Sequence, residues 1–272
     1  MAKQQRLSIR PKQSLGQNFL IDENVVRKII REFRPAPEDV VVEIGPGNGA
    51  LTSELAGRVK HLILVEIDGR VIETLKERFA SAGVTILHGD ILDLDLLSLH
   101  RKWNRPLRVI GNLPYHLTSP ILFKCFDAAP AIGDVTIMVQ REVAQRIAAN
   151  PGTKAYGILS VLTQYYATPT LLFNVSPGCF YPKPKVTSSV LRIVFHNRKQ
   201  EDAGAGLFRT VVRTAFGKRR KTLRNSLEYL PIAGLNIPEL ETRLSFSLKR
   251  RAEQLTLQEF VELAGRIGDQ IP

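Results

Sequence analysis

Apolar positions follow two periods along the chain. Between residues 39 and 140, five short apolar runs predict buried strands: DVVVEIG at 39–45, HLILVEI at 61–67, VTILHGD at 84–90, LRVIGNLP at 107–114 and VTIMVQ at 135–140. Between them lie ALTSELAGR, RVIETLKERFA and SPILFKCFDA, whose apolar residues recur at helical spacing. A helix is also predicted over 22–34, where Val25, Val26, Ile29, Ile30 and Phe33 share a face and Asp22 stands as N-cap. Strand, helix, strand at this pace predicts βαβ units. The expected fold class is α/β, Rossmann-like, with a mostly parallel sheet covered by helices on both faces.

Past residue 150 the pattern predicts a helix near 156–167, then two strands, LLFNVSP and SSVLRIVFH, flanking a proline-rich loop at 176–186. Residues 197–206 (NRKQEDAGAG) are polar with two glycines and mark a linker. From 207 onward the pattern is helical without strands. The division expected is 1–200, including a basic N-terminal arm, and 201–272, a small all-helical C-terminal domain.

Composition narrows the picture. At 272 residues and 44% hydrophobic, the chain is neither disordered nor fibrous, and no apolar run reaches the roughly 18–20 residues needed to span a bilayer. The first 21 residues carry Lys3, Arg6, Arg10 and Lys12 and no acid, and lack the apolar stretch of a secretory signal. Cys125 and Cys179 form neither a CxxC nor a disulfide framework, so a reducing compartment is the default. The net charge of +12 changes the picture more, because it argues for a polyanionic partner, nucleic acid or an acidic membrane surface, with a basic surface kept for solubility as the plain alternative.

Chemistry concentrates at the predicted strand tips. Glu43-Ile44-Gly45-Pro46-Gly47-Asn48-Gly49 follows one strand and precedes a helix, so backbone can turn tightly and approach a ligand there. Glu66 ends the next strand, where a carboxylate can accept both ribose hydroxyls, and Asp90 ends the third, where it can accept from an adenine amino group. GPGNG is G-x-G-x-G and not the G-x-G-x-x-G of pyrophosphate binding, so S-adenosylmethionine (AdoMet) suits this turn better than a dinucleotide. The plain alternative is a tight turn with nothing bound.

Asn112-Leu113-Pro114-Tyr115 ends the fourth strand. The exocyclic amine of adenine is a poor nucleophile because its lone pair is delocalised into the ring. Two acceptors, the Asn112 amide oxygen and the Leu113 carbonyl, would favour a pyramidal, reactive nitrogen. Pro114 removes a competing N–H and stiffens the turn. Tyr115 can stack on the base and hold it in line with a methyl donor.

These motifs, with QSLGQNFL at 13–20, VEID at 65–68, GDIL at 89–92, FYPKPKVTSSV at 180–190 and FGKRRKTLRNSL at 216–227, carry a resemblance. From about Gln13 to the C-terminus the chain resembles the ribosomal RNA adenine N6-dimethyltransferases, most closely their bacterial small-subunit members. The resemblance implies an AdoMet-dependent methyltransferase domain with no metal. It implies cofactor contacts from Asn18, Leu20, Gly45, Gly47, Glu66, Ile67, Asp90, Ile91 and Asn112. It implies catalysis by Asn112, Leu113, Pro114 and Tyr115, with Phe180 facing Tyr115 across a flipped adenine. His116-Leu117 departs from the Asn-Ile that relatives often carry.

The implied substrate is two adjacent adenosines near the 3′ end of small-subunit (16S) ribosomal RNA, each dimethylated during ribosome biogenesis. The expected partners are the small ribosomal subunit and its RNA and no membrane. The expected state is a cytoplasmic monomer. Residues 203–227 and 175–200 contain no acid, and Lys183, Lys185, Lys218, Arg219, Arg220, Lys221 and Arg224 are the candidate RNA contacts. The cations from 218 to 224 are expected on a helix, where they cannot all share one face, so some must be spectators or pair with acids elsewhere. Two other readings stand beside this one: a large-subunit adenine dimethyltransferase of the macrolide-resistance type, and a non-catalytic assembly or transcription factor on the same fold. The five histidines show no metal-ligand spacing.

Overall fold

The computed structural model describes residues 10–12, 15–80, 83–196, 204–218 and 220–271. In chain order its first elements are β1 (Phe19–Leu20), α1 (Glu23–Phe33), β2 (Val40–Ile44), α2 (Thr52–Leu55), β3 (His61–Glu66), α3 (Gly69–Phe79) and β4 (Val84–His88). Next come α4 (Leu96–Trp103), β5 (Leu107–Asn112), α5 (Thr118–Asp127), β6 (Ile132–Gln140), α6 (Arg141–Ile147), α7 (Ile158–Tyr166), β7 (Ala167–Val175), β8 (Phe180–Tyr181) and β9 (Ser188–Phe195). Four helices close the chain: α8 (Ala205–Gly217), α9 (Leu223–Leu227), α10 (Ile237–Arg243) and α11 (Leu257–Gly268).

Seven strands form one sheet in the order β4-β3-β2-β5-β6-β9-β7, and β1 pairs with β8 in a separate two-stranded ribbon. The first five strands of the large sheet are parallel, with Ile44 opposite both Val65 and Gly111, and β9 returns antiparallel to β6. All five residues of β2 are buried, as a strand covered on both faces requires. Asp22 caps α1 as expected, its Oδ1 accepting the N–H groups of Asn24 (2.9 Å) and Val25 (3.2 Å). Val26, Ile29, Ile30 and Phe33 of that helix join the core. The helix expected around 50–58 contracts to the four residues of α2, because Gly57 turns the chain with φ at +77°. α4 is an addition, started by Asp95, whose Oδ1 accepts the Ser98 N–H at 3.0 Å.

Contacts divide the chain into two units, residues 1–144 with 168–197 and residues 145–167 with 198–272. A single cut at 200 does not describe this, since the segment holding α7 groups with the C-terminal helices. In that helical unit Tyr165 stacks on Phe208 (3.9 Å between centroids), and Phe216 meets both Tyr156 and Phe260. α11 opens with a reciprocal cap, Thr256 Oγ1 accepting from Glu259 N–H and the Glu259 carboxylate from Thr256 N–H. Residues 197–203 of the expected linker lie outside the described residues, and α8 begins within its last two positions.

At the amino end of the large sheet, Arg108 donates to both oxygens of Asp134 (2.7 and 2.9 Å), to Asp39, and to the Phe33 and Arg34 carbonyls that end α1. Arg192 on β9 adds a second cation to Asp134. These contacts tie α1, β5, β6 and β9 together.

Candidate functional site

At the opposite end of the same sheet, strand order reverses between β2 and β5, the position where open α/β sheets leave a crevice. A cleft opens there with about 780 Å³ of empty space, part of it continuous with solvent. Register aligns its walls. The Gly45 N–H donates to Val65 O and the Gly89 N–H to Glu66 O, each at 2.9 Å, which brings the glycine turn, Glu66 and Asp90 side by side.

Glu66 is buried, and its carboxylate accepts the Gly47 N–H at 3.2 Å and the Asp68 N–H at 2.9 Å. Burial raises its pKa above the ordinary glutamate value, and the backbone donors offset this only in part. Behind the turn, Glu43 accepts the Thr52 hydroxyl at 2.7 Å, and burial pushes its pKa up to about 8. Among the described residues neither carboxylate has a cationic partner. Asp90 Oδ1 accepts the Leu92 N–H at 2.9 Å, and Lys124 Nζ donates to Leu92 O at 2.8 Å, which ties that turn to α5.

The N-terminal arm forms another wall. Asn112 donates from Nδ2 to the Asn18 carbonyl at 2.8 Å, so its Oδ1 is the amide atom left to accept elsewhere. Gln17 donates to Asp68 Oδ2 at 3.0 Å, and Arg70 joins Asp68 to the Arg10 carbonyl. The Arg70 guanidinium holds the Asp68 carboxyl well below the usual range. Phe19 lies over Gly47, where φ is +52° and a Cβ would come within 2.8 Å of the ring, so only glycine fits. Across the cleft, Tyr115 shares a 2.9 Å hydrogen bond with Ser188, and burial raises its hydroxyl pKa.

The model of one family, ribosomal RNA adenine dimethylase, matches residues 9–264. The chain belongs to that family. A protein of Aromatoleum aromaticum named ribosomal RNA small subunit methyltransferase A is 44% identical over 265 residues, covering 97% of this chain and 96% of its own. One of the same name from Salinibacter ruber is 45% identical, covering 98% and 89%. Among solved structures, a dimethyladenosine transferase from Plasmodium falciparum superposes with a TM-score of 0.78 at 22% identity, covering 93% and 98%. The 23S rRNA methyltransferase ErmE does so with 0.70 at 24%, covering 92% and 100%. These last two show that the fold is shared.

In this dimethylase-family chain, Asn18, Gly45, Gly47, Glu66, Ile67, Asp90, Ile91, Asn112, Leu113, Pro114 and Tyr115 all line the one cleft. Leu20 and Phe180 do not. They sit opposite each other in the β1–β8 ribbon, where side chains alternate, and both turn into the core, which leaves Phe19 on the cleft side. Phe19 and Gln17 are cleft residues that the sequence reading passed over. Phe19 stands between two assigned neighbours, and a ribbon of two residues per strand is too short to leave an alternation signal in the sequence.

The basic run also departs from expectation. α8 ends at Gly217, the Lys221 N–H closes a turn onto the Lys218 carbonyl at 2.8 Å, and helix resumes only at Leu223. Consecutive cations repel one another, and glycine ends the preceding helix easily. Arg224 is the member that pairs with an acid, Glu241, at 2.8 Å. Arg219 lies outside the described residues, while Lys183 and Lys185 are exposed on the proline-rich loop. Among the described residues no group of three or more His, Cys, Asp or Glu is placed to hold a metal ion, and no helix is long and apolar enough to cross a membrane.

Proposed function

We propose that this cleft binds AdoMet and that the chain dimethylates N6 of two adjacent adenosines near the 3′ end of small-subunit ribosomal RNA. One observation carries the reading. A single cleft joins a buried Glu66, without a cationic partner among the described residues, to Asn112-Leu113-Pro114-Tyr115, with the Asn112 amide oriented by the N-terminal arm. The residues fit the cofactor: Gly45 and Gly47 bring backbone to the cleft wall, and Glu66 and Asp90 beside them are acceptors suited to ribose hydroxyls and an adenine amine. AdoMet, when bound, supplies an electrophilic methyl group.

The protein's own residues then act by position. Asn112 Oδ1 and the Leu113 carbonyl accept the two amine hydrogens of the target adenine and aim its lone pair. The Leu113 N–H is tied to Met138 O at 3.1 Å, which fixes that peptide. Tyr115, anchored on Ser188, stacks on the base. Leu20 and Phe180 support this wall from behind. Lys183, Lys185, Lys218, Arg219, Arg220 and Lys221 contact phosphate, and Arg224 acts with Glu241 as a structural pair. Purified small and large subunits lacking the modification, incubated with AdoMet labelled in its methyl group, test the reading. Label is expected in small-subunit RNA, and label only in the large subunit, or in neither, overturns it.

A further inference from the structure

An exposed aromatic in the helical unit has an unusual setting. Tyr229, in the turn after α9, is 55% exposed. Lys218 Nζ and Lys221 Nζ each lie 5.1 Å from its ring centroid, and Lys221 Nζ donates to its hydroxyl at 3.2 Å. The 218–221 turn brings the two lysines together, the Lys221 N–H meeting the Lys218 carbonyl at 2.8 Å. Among the described residues neither ammonium has an acidic partner. The neighbouring Arg224, by contrast, is neutralised by Glu241. Two uncompensated cations thus flank a large ring that leaves more than half its surface in water.

Solvation alone does not favour that arrangement, because a lysine ammonium is better hydrated in open water than beside a ring. It does match what single-stranded nucleic acid presents: a flat base to stack on, with phosphates on either side. An acidic peptide would meet the two cations but leave the tyrosine face without a partner. The feature rests on only three side chains, none of which belongs to the cleft.

We propose that Tyr229 with Lys218 and Lys221 is a single-stranded RNA contact, the ring stacking on an unpaired base while the two ammonium groups hold its flanking phosphates. The inference rests on ribosomal RNA being the substrate, and it assigns to Tyr229 a role that basic charge alone does not supply. Stacking and charge neutralisation leave different signatures. Stacking displaces no counterions, so its loss weakens binding at every salt concentration alike. Loss of a phosphate contact flattens the salt dependence.

Binding of the full chain to purified, unmodified small subunits is therefore measured across salt for Tyr229→Ala, Tyr229→Phe and Lys218→Gln/Lys221→Gln. Tyr229→Ala is expected to raise Kd about 5- to 150-fold with an unchanged slope of log K against log salt. Tyr229→Phe, which keeps the ring, should stay within about twofold of the parent. The double lysine variant should flatten the slope by roughly 1.4, two single-strand phosphate contacts. AdoMet affinity and the urea midpoint, measured alongside, report that each variant is folded. Parental affinity in a folded Tyr229→Ala overturns the proposal, as does an equal loss in Tyr229→Phe. If the parent chain transfers methyl groups to small-subunit RNA while Tyr229→Ala binds normally, this inference alone fails. If the parent transfers none, the functional reading fails with it.

Discussion

The two ends of the seven-stranded sheet treat buried charge in opposite ways. At the amino end, Asp134 is met by Arg108 and Arg192, and Arg108 is met in turn by Asp39 and two helix-ending carbonyls. At the carboxyl end, Glu43 and Glu66 are buried with hydroxyl and backbone N–H partners and, among the described residues, no cation. One end is neutralised by the protein itself. The other keeps acceptors whose demand the fold leaves partly unmet, and burial raises both pKa values as a result. The contrast separates a device for stability from the carboxylate to which the proposed function assigns ribose hydroxyls.

The largest way to break the comparison is Arg108→Met. It leaves Asp39 without its guanidinium and Asp134 with Arg192 alone, so stability should fall by about 3 kcal/mol, the lower end of the range for a broken buried pair. Urea denaturation measures this, and AdoMet affinity of the folded fraction should not change. Glu66→Ala should do the reverse. It should lower AdoMet affinity by about 1.5–3 kcal/mol, the worth of a charged hydrogen bond, with a smaller effect on the urea midpoint. Unchanged affinity by calorimetry would remove Glu66 from the site.

Glu43 sharpens the contrast through pH. Its folded pKa near 8 lies above the ordinary value of 4.5, so the native state holds a proton that the unfolded chain has released. That contribution is full below about pH 4.5 and is lost as pH rises towards 8. Stability should therefore decline across this window. Glu43→Gln, which keeps an acceptor for Thr52 without the charge, should flatten the decline and gain on the order of 1–2 kcal/mol at pH 7.5. Urea midpoints between pH 5 and 8.5 read both effects.

Sequence pattern revealed the carboxyl end well and the amino end hardly at all. Glycine spacing after an apolar strand, an acid at each strand tip and Asn112-Leu113-Pro114-Tyr115 are local signals, and register of a parallel sheet then forces them together. Arg108, Asp134 and Arg192 are far apart in sequence and look like ordinary charges until β5, β6 and β9 align. Alternation in a two-residue ribbon was equally invisible, which is why Leu20 and Phe180 were expected in the cleft and Phe19 was not. The basic run at 218–221 has helix-forming residue types, but its crowded charges and Gly217 favour a turn.

Asn112→Ala tests the central claim most directly, because the proposed function places both the cofactor and the target base against Asn112. Small-subunit RNA is incubated with AdoMet and either the parent chain or Asn112→Ala, then read by mass spectrometry. The parent should leave two adjacent dimethylated adenosines near the 3′ end, and the variant, still bound to the subunit, should leave these adenosines largely unmethylated. Undiminished dimethylation by Asn112→Ala, or none by the parent, would contradict the account.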